Sequence, residues 1–192
     1  MNRIPTLMLL VFVLFACGVP TGDQAESVDE VPFGLLDPQA SEPAETSAPA
    51  EGPAVQIYLV DPAGLRLVPV ERRLGEGEAT LSDVMDVLLN GPTRAESRQG
   101  LITALVDEDA VAATELVGGV ASVDLAQQFT VLNGPTQRLA IAQVVLTLTA
   151  RPGVGRVSFT LEGQPIDVPR GDGTLAQGSV SRDNYRELLP GS

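Results

Sequence analysis

The stretch TQRLAIAQVVLTLT, residues 136–149, decides the fold, because a helix there and a strand there lead to different architectures. Four of its apolar residues fall on one face of a helix, which predicts helix. They are Ile141, Val144, Val145 and Leu148. The β-branched residues of the same stretch also suit a strand, and strand stays open as the alternative. Gly134-Pro135 opens the stretch and Arg151-Pro152-Gly153 follows its end.

The segments before this stretch contain two pairs of strand-like runs. Residues 55–59 alternate between apolar and polar, and LRLVPV at 65–70 follows across a short turn, which predicts a hairpin or strand pair. Pro69 places the second strand at a sheet edge or interrupts it. Two further short runs flank Gly118-Gly119, a dipeptide typical of a tight hairpin turn.

A second helix is predicted at residues 81–89, where the apolar residues recur at helical spacing. Thr80 can cap it, with Asp83 at the capping-box position, and Asn90-Gly91-Pro92 stops it. Residues 157–161 alternate again as a strand. The order β-β-α-β-β-α-β-β predicts an α+β fold, a single compact domain in which a small mixed or antiparallel sheet packs against two helices.

Composition narrows the function more by exclusion than by indication. The chain has 192 residues, a net charge of −13 and scattered arginines as its twelve basic residues, which argues against nucleic-acid binding. Because it lacks His and Lys and has one Cys, no Ser-His-Asp triad, Cys-His pair, Ser-Lys dyad or His-based zinc site can form. Carboxylate chemistry is what remains, and we expect no enzyme activity, no cofactor and no metal.

The beginning of the chain predicts export and lipid attachment. Residues 1–16 combine a basic start, an apolar run and a small residue before Cys17, as in a signal peptide too short to span a membrane. LFAC at 14–17 resembles the bacterial lipobox, which implies lipidation of Cys17 and attachment to the extracytoplasmic face of the cell membrane. The alternative is an ordinary secretory signal that leaves a free or buried cysteine.

Residues 17–53 have the composition of a disordered acidic tether, rich in Pro, Ala, Glu and Ser, with eight acidic residues and no basic one. Within it, VPFGLL at 31–36 is a small apolar island that can dock on another surface or simply be a less polar piece of linker. The remaining residues, 54–192, then form the folded domain.

Several blocks of this folded region occur together in the order found in one family. They are LLNGPT (88–93), GLITAL (100–105), GVASVDLAQQF (119–129), AQVVLTLTARPGVGRVSFTLEGQP (142–165) and SRDNY (181–185). Residues 56–163 thereby resemble the sporulation and spore-germination domain called GerMN, although VDEDA (106–110) departs from the family's usual proline-containing turn. The resemblance implies a small α/β module similar to ring-building motifs, found in exported bacterial lipoproteins, with no catalytic residues to carry over.

Candidate binding residues are few. Arg66, Arg72 and Arg73, on or beside the second strand, can contact a partner or an acidic wall polymer, or can simply discourage edge aggregation. Carboxylate pairs, a calcium site and an adhesion-type loop all have simpler structural explanations. These candidates are Asp83 with Asp86, Asp124 with Glu162, the acidic run 107–109, and RGDG at 170–173.

Two classes of function remain open. The leading hypothesis is a membrane-anchored lipoprotein whose domain is a non-catalytic interaction module for another envelope protein. The alternative is a protein that binds a cell-wall polymer or assists a carboxylate-based wall hydrolase, and the scarcity of aromatic residues weakens it. The sequence leaves the partner and the oligomeric state unassigned.

Overall fold

The chain divides into two units, Met1–Thr46 and Ser47–Ser192, and the computed structural model describes residues 52–191, which belong to the second unit. The predicted signal peptide, Cys17 and nearly all of the tether lie outside the described residues. The helices and longer strands are β1 Ala54–Asp61, β2 Arg66–Arg73, α1 Leu81–Leu89, α2 Arg94–Arg98, β3 Val111–Val117, β4 Val120–Leu125, α3 Gly134–Leu148 and β5 Arg156–Leu161. Six short elements complete the described part of the chain: strands β6 Gln164–Pro165, β7 Val168–Pro169 and β8 Leu175–Ala176, the 3-10 turns Glu108–Ala110 and Gln127–Val131, and the C-terminal 3-10 helix Arg182–Leu188.

The deciding stretch is a helix, α3. Asn133 caps it, since its side-chain oxygen accepts a hydrogen bond from the Thr136 N–H at 3.0 Å, and Pro135 lies in the first turn. Ala140–Leu148 is buried without a gap, because α3 packs against β1, α1, β7 and the C-terminal 3-10 helix. The predicted single apolar face is therefore an understatement, and the last half of α3 has no solvent-exposed side.

Two polar residues of α3, Gln143 and Thr147, have no exposed surface. Because α3 is buried on all sides, their polar groups must form hydrogen bonds within the protein. The Tyr58 N–H of β1 donates to Thr147 Oγ1 at 3.1 Å, and Gln143 Nε2 donates to the Tyr58 carbonyl at 2.8 Å. Gln143 Oε1 also accepts from the Ala104 N–H at 2.6 Å. These side chains thus take the place of a neighbouring strand along the outer edge of β1.

The β1–β2 hairpin shows why Pro69 is tolerated. Tyr58 pairs with Pro69 in the antiparallel register, yet the backbone groups of Tyr58 point away from β2, toward α3. The position of Pro69 opposite Tyr58 is therefore one where no cross-strand N–H is needed, and β2 runs uninterrupted as an edge strand. The edge alternative stated from the sequence is confirmed.

The larger sheet has the strand order β3-β4-β5-β6 and is mixed, because β4 and β5 run parallel while the other pairs are antiparallel. The predicted hairpin at Gly118-Gly119 is confirmed, with positive φ angles of 57° and 79° that suit glycine. Alternate residues of β4 and β5 enter the core. They are Ala121, Val123, Leu125, Val157 and Phe159.

Helix α1 forms as predicted, with the Thr80–Asp83 capping box present in both directions. Its residues Val84, Met85 and Leu88 are buried. The α+β class is confirmed, but the strands divide into three small sheets, β1-β2, β3-β4-β5-β6 and β7-β8. The reason is that α3 side chains and a bridge from Ile102 to Val60 occupy the outer edge of β1, which prevents β1 from joining the larger sheet.

Candidate protein-binding groove

A groove opens beside the N-terminal end of α3 and has a volume of about 590 Å³, within the range of ligand-binding pockets. We call it the α3 groove. Its lining is mostly apolar. The lining residues are Phe129, Thr130, Gly134, Pro135, Gln137, Arg138, Leu161, Ile166, Asp167, Val168, Pro169, Gly173 and Leu175.

One wall of the α3 groove is fixed by the cap of the helix. Asn133 sets the direction of the first turn, and this turn presents Pro135, Gln137 and Arg138 to the groove. The 3-10 turn Gln127–Val131 precedes it and contributes the buried ring of Phe129, whose carbonyl accepts a 3.4 Å hydrogen bond from Gln137 Nε2. This wall is therefore joined to the core through the buried ring of Phe129.

The opposite wall comes from the chain that follows β5. Leu161 ends β5, and the Ile166 N–H donates to the Phe159 carbonyl at 3.2 Å, which holds the next segment beside the sheet. The buried Tyr185 donates its hydroxyl to the Pro169 carbonyl at 2.9 Å and fixes β7 from behind. On the rim, Leu175 is 65% exposed, so the apolar surface of the groove continues to its edge.

Two charged residues, Arg138 and Asp167, line the α3 groove. Arg138 donates through Nη1 to the Gly171 carbonyl at 3.1 Å, while its buried Nε has no acceptor among residues 52–191. Asp167, the carboxylate among the lining residues, is exposed. The lining offers no nucleophile paired with a base and no pair of carboxylates, and most of its surface is apolar.

The three arginines predicted as a partner surface differ in their contacts: Arg66 and Arg72 bind other parts of the fold, and Arg73 is exposed. Arg66 donates through Nη1 to the Leu189 carbonyl at 2.7 Å. Arg72 forms a bidentate ion pair with Glu96 at 2.5 Å, with side chains only 16% and 14% exposed. Arg73 is exposed at the end of β2. Two of the three thus hold the fold together, and a role of the three arginines in partner binding stays a prediction.

The short helix α2, which carries Glu96, was missed although its signal is local. Thr93 and Glu96 form a second capping box, with Thr93 N–H donating to the Glu96 carboxylate at 2.8 Å. The spacing Thr-x-x-Glu after Gly91-Pro92 was available in the sequence. The contact with Arg72 was not, because it joins residues 24 positions apart on different elements.

Two of the four carboxylates considered for hydrolysis, Asp83 and Asp124, have structural roles. The Thr160 hydroxyl donates to Asp124 Oδ1 at 2.5 Å and the Gly163 N–H donates to it at 2.8 Å, and these hydrogen bonds lower the pKa of Asp124. The hydrogen bond from the backbone N–H of Thr80 is the main cause of the lowered pKa of Asp83. A general acid needs the opposite, a raised pKa. Neither aspartate is therefore suited to that role.

The two loop candidates are ordinary turns. Asp107 Oδ1 accepts from the Asp109 N–H at 3.0 Å and caps a 3-10 turn. RGDG joins β7 to β8, with Asp172 accepting from the Thr174 N–H at 2.8 Å. Within residues 52–191 no group of three or more His, Cys, Asp or Glu side chains is placed to hold a metal ion.

The blocks that carried the family resemblance also have packing roles. In SRDNY, Ser181 and Asn184 form a capping box, Tyr185 is buried, and the Arg182 guanidinium lies 5.2 Å from the centre of the Tyr58 ring. By contrast, Ile166 and Leu175 of the α3 groove lie outside the blocks that resemble the family, and the sequence did not predict them as binding residues. Their segments have too little periodicity to signal a binding surface.

Fold and groove together define a small α+β domain with one mostly apolar groove beside α3. The chain belongs to the Germane family, described as sporulation and spore germination, whose family model matches residues 56–167. This confirms the resemblance to GerMN domains. No curated protein sequence matches the chain. No helix in the described range is long and apolar enough to cross a membrane.

Two solved structures show the same fold. The first GerMN domain of the sporulation protein GerM from Bacillus subtilis is 22% identical, with a TM-score of 0.56, over 68% of this chain and 98% of that one. The tandem GerMN domains of the same protein are 20% identical, with a TM-score of 0.56, over 69% of this chain and 47% of that one. The chain therefore matches about half of the tandem structure.

Proposed function

We propose that this protein is a lipid-anchored lipoprotein whose Germane domain binds another envelope protein, without catalysing a reaction, and that the α3 groove is the binding surface. The observation that carries the proposal is the apolar lining of the groove, with Leu175 exposed on its rim. An apolar side chain of a partner would cover this surface and remove it from water.

The anchor is proposed from the sequence. A diacylglycerol thioether on Cys17, with a further acyl chain on the new N-terminus, provides the two or more chains that stable membrane attachment requires. The domain is then held at the extracytoplasmic face of the membrane. Residues 18–53 set how far from the membrane it can bind a partner.

A protein partner fits the groove better than a wall polymer does. Sugar-binding sites usually present exposed aromatic faces, whereas the aromatic residue of this lining, Phe129, is buried and the exposed rim residue is aliphatic. The lowered pKa values of Asp83 and Asp124 also give no support to a wall hydrolase.

Site-specific photo-cross-linking in intact cells tests the proposal. A photoreactive residue in place of Leu175 should give one dominant adduct with an envelope protein. The matched control is Val106, which is 74% exposed and does not line the groove. In a second arm, Leu175→Asp should weaken partner binding at least tenfold, while Val106→Asp leaves it unchanged, because both changes are on exposed side chains.

Equal adducts from both positions would refute the groove as the binding surface. Peptidoglycan turnover by the purified chain, abolished by one Asp→Asn change, would overturn the non-catalytic proposal and favour the hydrolase alternative. Release of the wild-type protein from membranes without detergent would refute the anchor.

A further inference from the structure

The larger sheet has one long edge strand with an open side, β3. The strand order is β3-β4-β5-β6, and within residues 52–191 no strand and no isolated bridge pairs with the outer side of β3. The outer side of an edge strand presents N–H and C=O groups that can pair with a further strand. The edge of β3 is therefore a place where an extended segment can join the sheet.

The register shows which residues of β3 offer these groups. The Leu125 carbonyl of β4 accepts a hydrogen bond from the Glu162 N–H at 3.2 Å, so the odd-numbered residues of β4 direct their backbone groups toward β5. Thr114 and Leu116 pair with odd-numbered residues of β4 in the antiparallel register. Their own backbone groups therefore point away from β4, to the open side.

The other sheet edges are protected against such pairing. Pro69 lies opposite Tyr58 at an outward-facing position of β2, where it offers no N–H, and four of the eight residues of β2 are charged. Strand β6 has two residues and ends at Pro165. Proline, charge and short length are the usual means by which proteins prevent pairing at an edge.

The second half of β3 has a different character. A register shift between Val111 and Ala113 disturbs its beginning, but residues 114–117 pair with β4 without interruption. In this half Leu116 is 46% and Val117 is 62% exposed. Two exposed apolar side chains on a regular edge favour the binding of a further strand.

A pocket of about 320 Å³ lies beside this edge. Leu116 lines it from β3, Leu81 from α1, and Pro152 from the turn after α3. Arg151 also lines it, but its guanidinium already donates to the Thr80 carbonyl at 3.2 Å, so the pocket suits an apolar side chain. Glu115 is exposed and lies on the other face of β3, since side chains alternate along a strand.

Charge distinguishes the occupants that this edge can accept. Residues 54–192 contain 17 acidic residues and 11 arginines, and Glu115 is the charged residue of β3. A second copy of the chain would bring two acidic domains together and place both Glu115 side chains in one short strand pair. A basic residue opposite Glu115 would instead be attracted, because cross-strand pairs of opposite charge are favourable and like charges are not.

We propose that β3 binds, as an added antiparallel strand, an extended segment of another protein in which a basic residue lies between two apolar residues. The basic residue would pair with Glu115. The apolar residues would lie opposite Thr114 and Leu116, on the side of the pocket. This proposal goes beyond the proposed function, because β3 does not line the α3 groove.

Peptide titration of the isotope-labelled, full-length protein in detergent, followed by NMR, tests the proposal. The probe is the synthetic peptide Ser-Val-Arg-Val-Ser, and the amide signals of Thr114 and Leu116 should move most. Methylating the backbone nitrogens of both valines removes the N–H groups that would face β3, so binding should weaken by about tenfold or more. The matched control is methylated at the arginine and the last serine, whose N–H groups would face solvent, and should bind within about threefold of the probe.

Two variants test the same pairing from the side of the protein. Glu115→Arg should weaken binding of the arginine peptide and strengthen binding of a peptide with glutamate in its place, each several-fold. Leu116→Pro removes an outward N–H without losing a hydrogen bond to β4, as Pro69 does in β2, and should weaken binding by about tenfold or more. Circular dichroism checks that both variants are folded, and the methylated peptides test the wild-type chain in any case.

Equal affinities for the two methylated peptides, or an unchanged preference for arginine in Glu115→Arg, would overturn the proposal. Self-association of the wild-type chain that Leu116→Pro abolishes would overturn it in favour of a second copy. Leu175→Asp separates the two surfaces. It should leave peptide binding unchanged, and a loss of peptide binding would place the peptide in the α3 groove instead. Failure of residue 175 to capture a partner would count against the proposed function and leave the peptide result for β3 intact.

Discussion

Replacing Gln143 by methionine tests the feature that holds β1 on α3. The change keeps side-chain length and volume similar but removes the amide that accepts from the Ala104 N–H at 2.6 Å and donates to the Tyr58 carbonyl at 2.8 Å. Gln143 has no exposed surface, so water cannot replace these partners without opening the core. Two buried backbone groups would be left unsatisfied.

Each unsatisfied group costs about 1–3 kcal/mol, and part of this cost is offset by burying an apolar side chain. We therefore expect Gln143→Met to lower the free energy of unfolding by about 2–4 kcal/mol, a large share of the roughly 5–15 kcal/mol of an ordinary domain. Urea unfolding followed by circular dichroism measures the difference, with an unchanged dependence on urea indicating that the same surface unfolds.

Gln137→Met is the matched control on the same helix. Gln137 is half-buried and makes one long hydrogen bond, 3.4 Å to the Phe129 carbonyl, so its replacement should cost less than about 0.5 kcal/mol. A loss below about 1 kcal/mol for Gln143→Met, or equal losses for the two variants, would refute the role given to Gln143.

Three further outcomes are expected. Phe159→Ala should lower the free energy of unfolding by about 2–5 kcal/mol, because it leaves a cavity at a buried position of β5. Val106→Ala, at an exposed position, should change it by less than about 0.5 kcal/mol. Equal effects of the two variants would contradict the assigned core. The hydrogen bond from Arg72 lowers the pKa of Glu96, so the ionised carboxylate stabilises the fold above the ordinary glutamate pKa of 4.5, and this contribution is lost as pH falls below it. Glu96→Gln should therefore weaken the fall in the free energy of unfolding at acid pH. An unchanged dependence on pH would count against this role. Finally, Cys17→Ser should move the protein out of the detergent phase or leave an uncleaved precursor, while an unaltered distribution would argue against lipidation.

Local signals in the sequence were sufficient for the elements that depend on neighbouring residues. The capping box of Thr80 and Asp83, the Gly118-Gly119 turn and the alternation in residues 157–161 each specify a structure within a few positions. The complete burial of α3 was not accessible in this way. It depends on packing against elements far away in sequence, such as β1, where Gln143 binds Tyr58, a residue 85 positions away.

The same limit applies to the candidate site. The α3 groove combines residues 129–138 with residues 161–175, and neither segment carries a motif for binding. The sequence instead predicted a partner surface at Arg66 and Arg72, because they are basic residues on a strand of an acidic chain. Their hydrogen bonds to Leu189 and Glu96 join positions far apart in sequence, which only the folded structure brings together.

The two halves of α3 thus have different tasks. Its C-terminal half is buried on every side and binds β1 through Gln143 and Thr147, which makes the helix a fixed part of the core. Its N-terminal turn extends from this fixed part and forms one wall of the α3 groove. The opposite wall is built from very short strands, but the buried Tyr185 holds it by donating its hydroxyl to the Pro169 carbonyl, and burial raises the pKa of Tyr185 above its ordinary value. Both walls of the groove are held to the core, and such preorganisation would reduce the entropy that binding of the proposed partner must overcome.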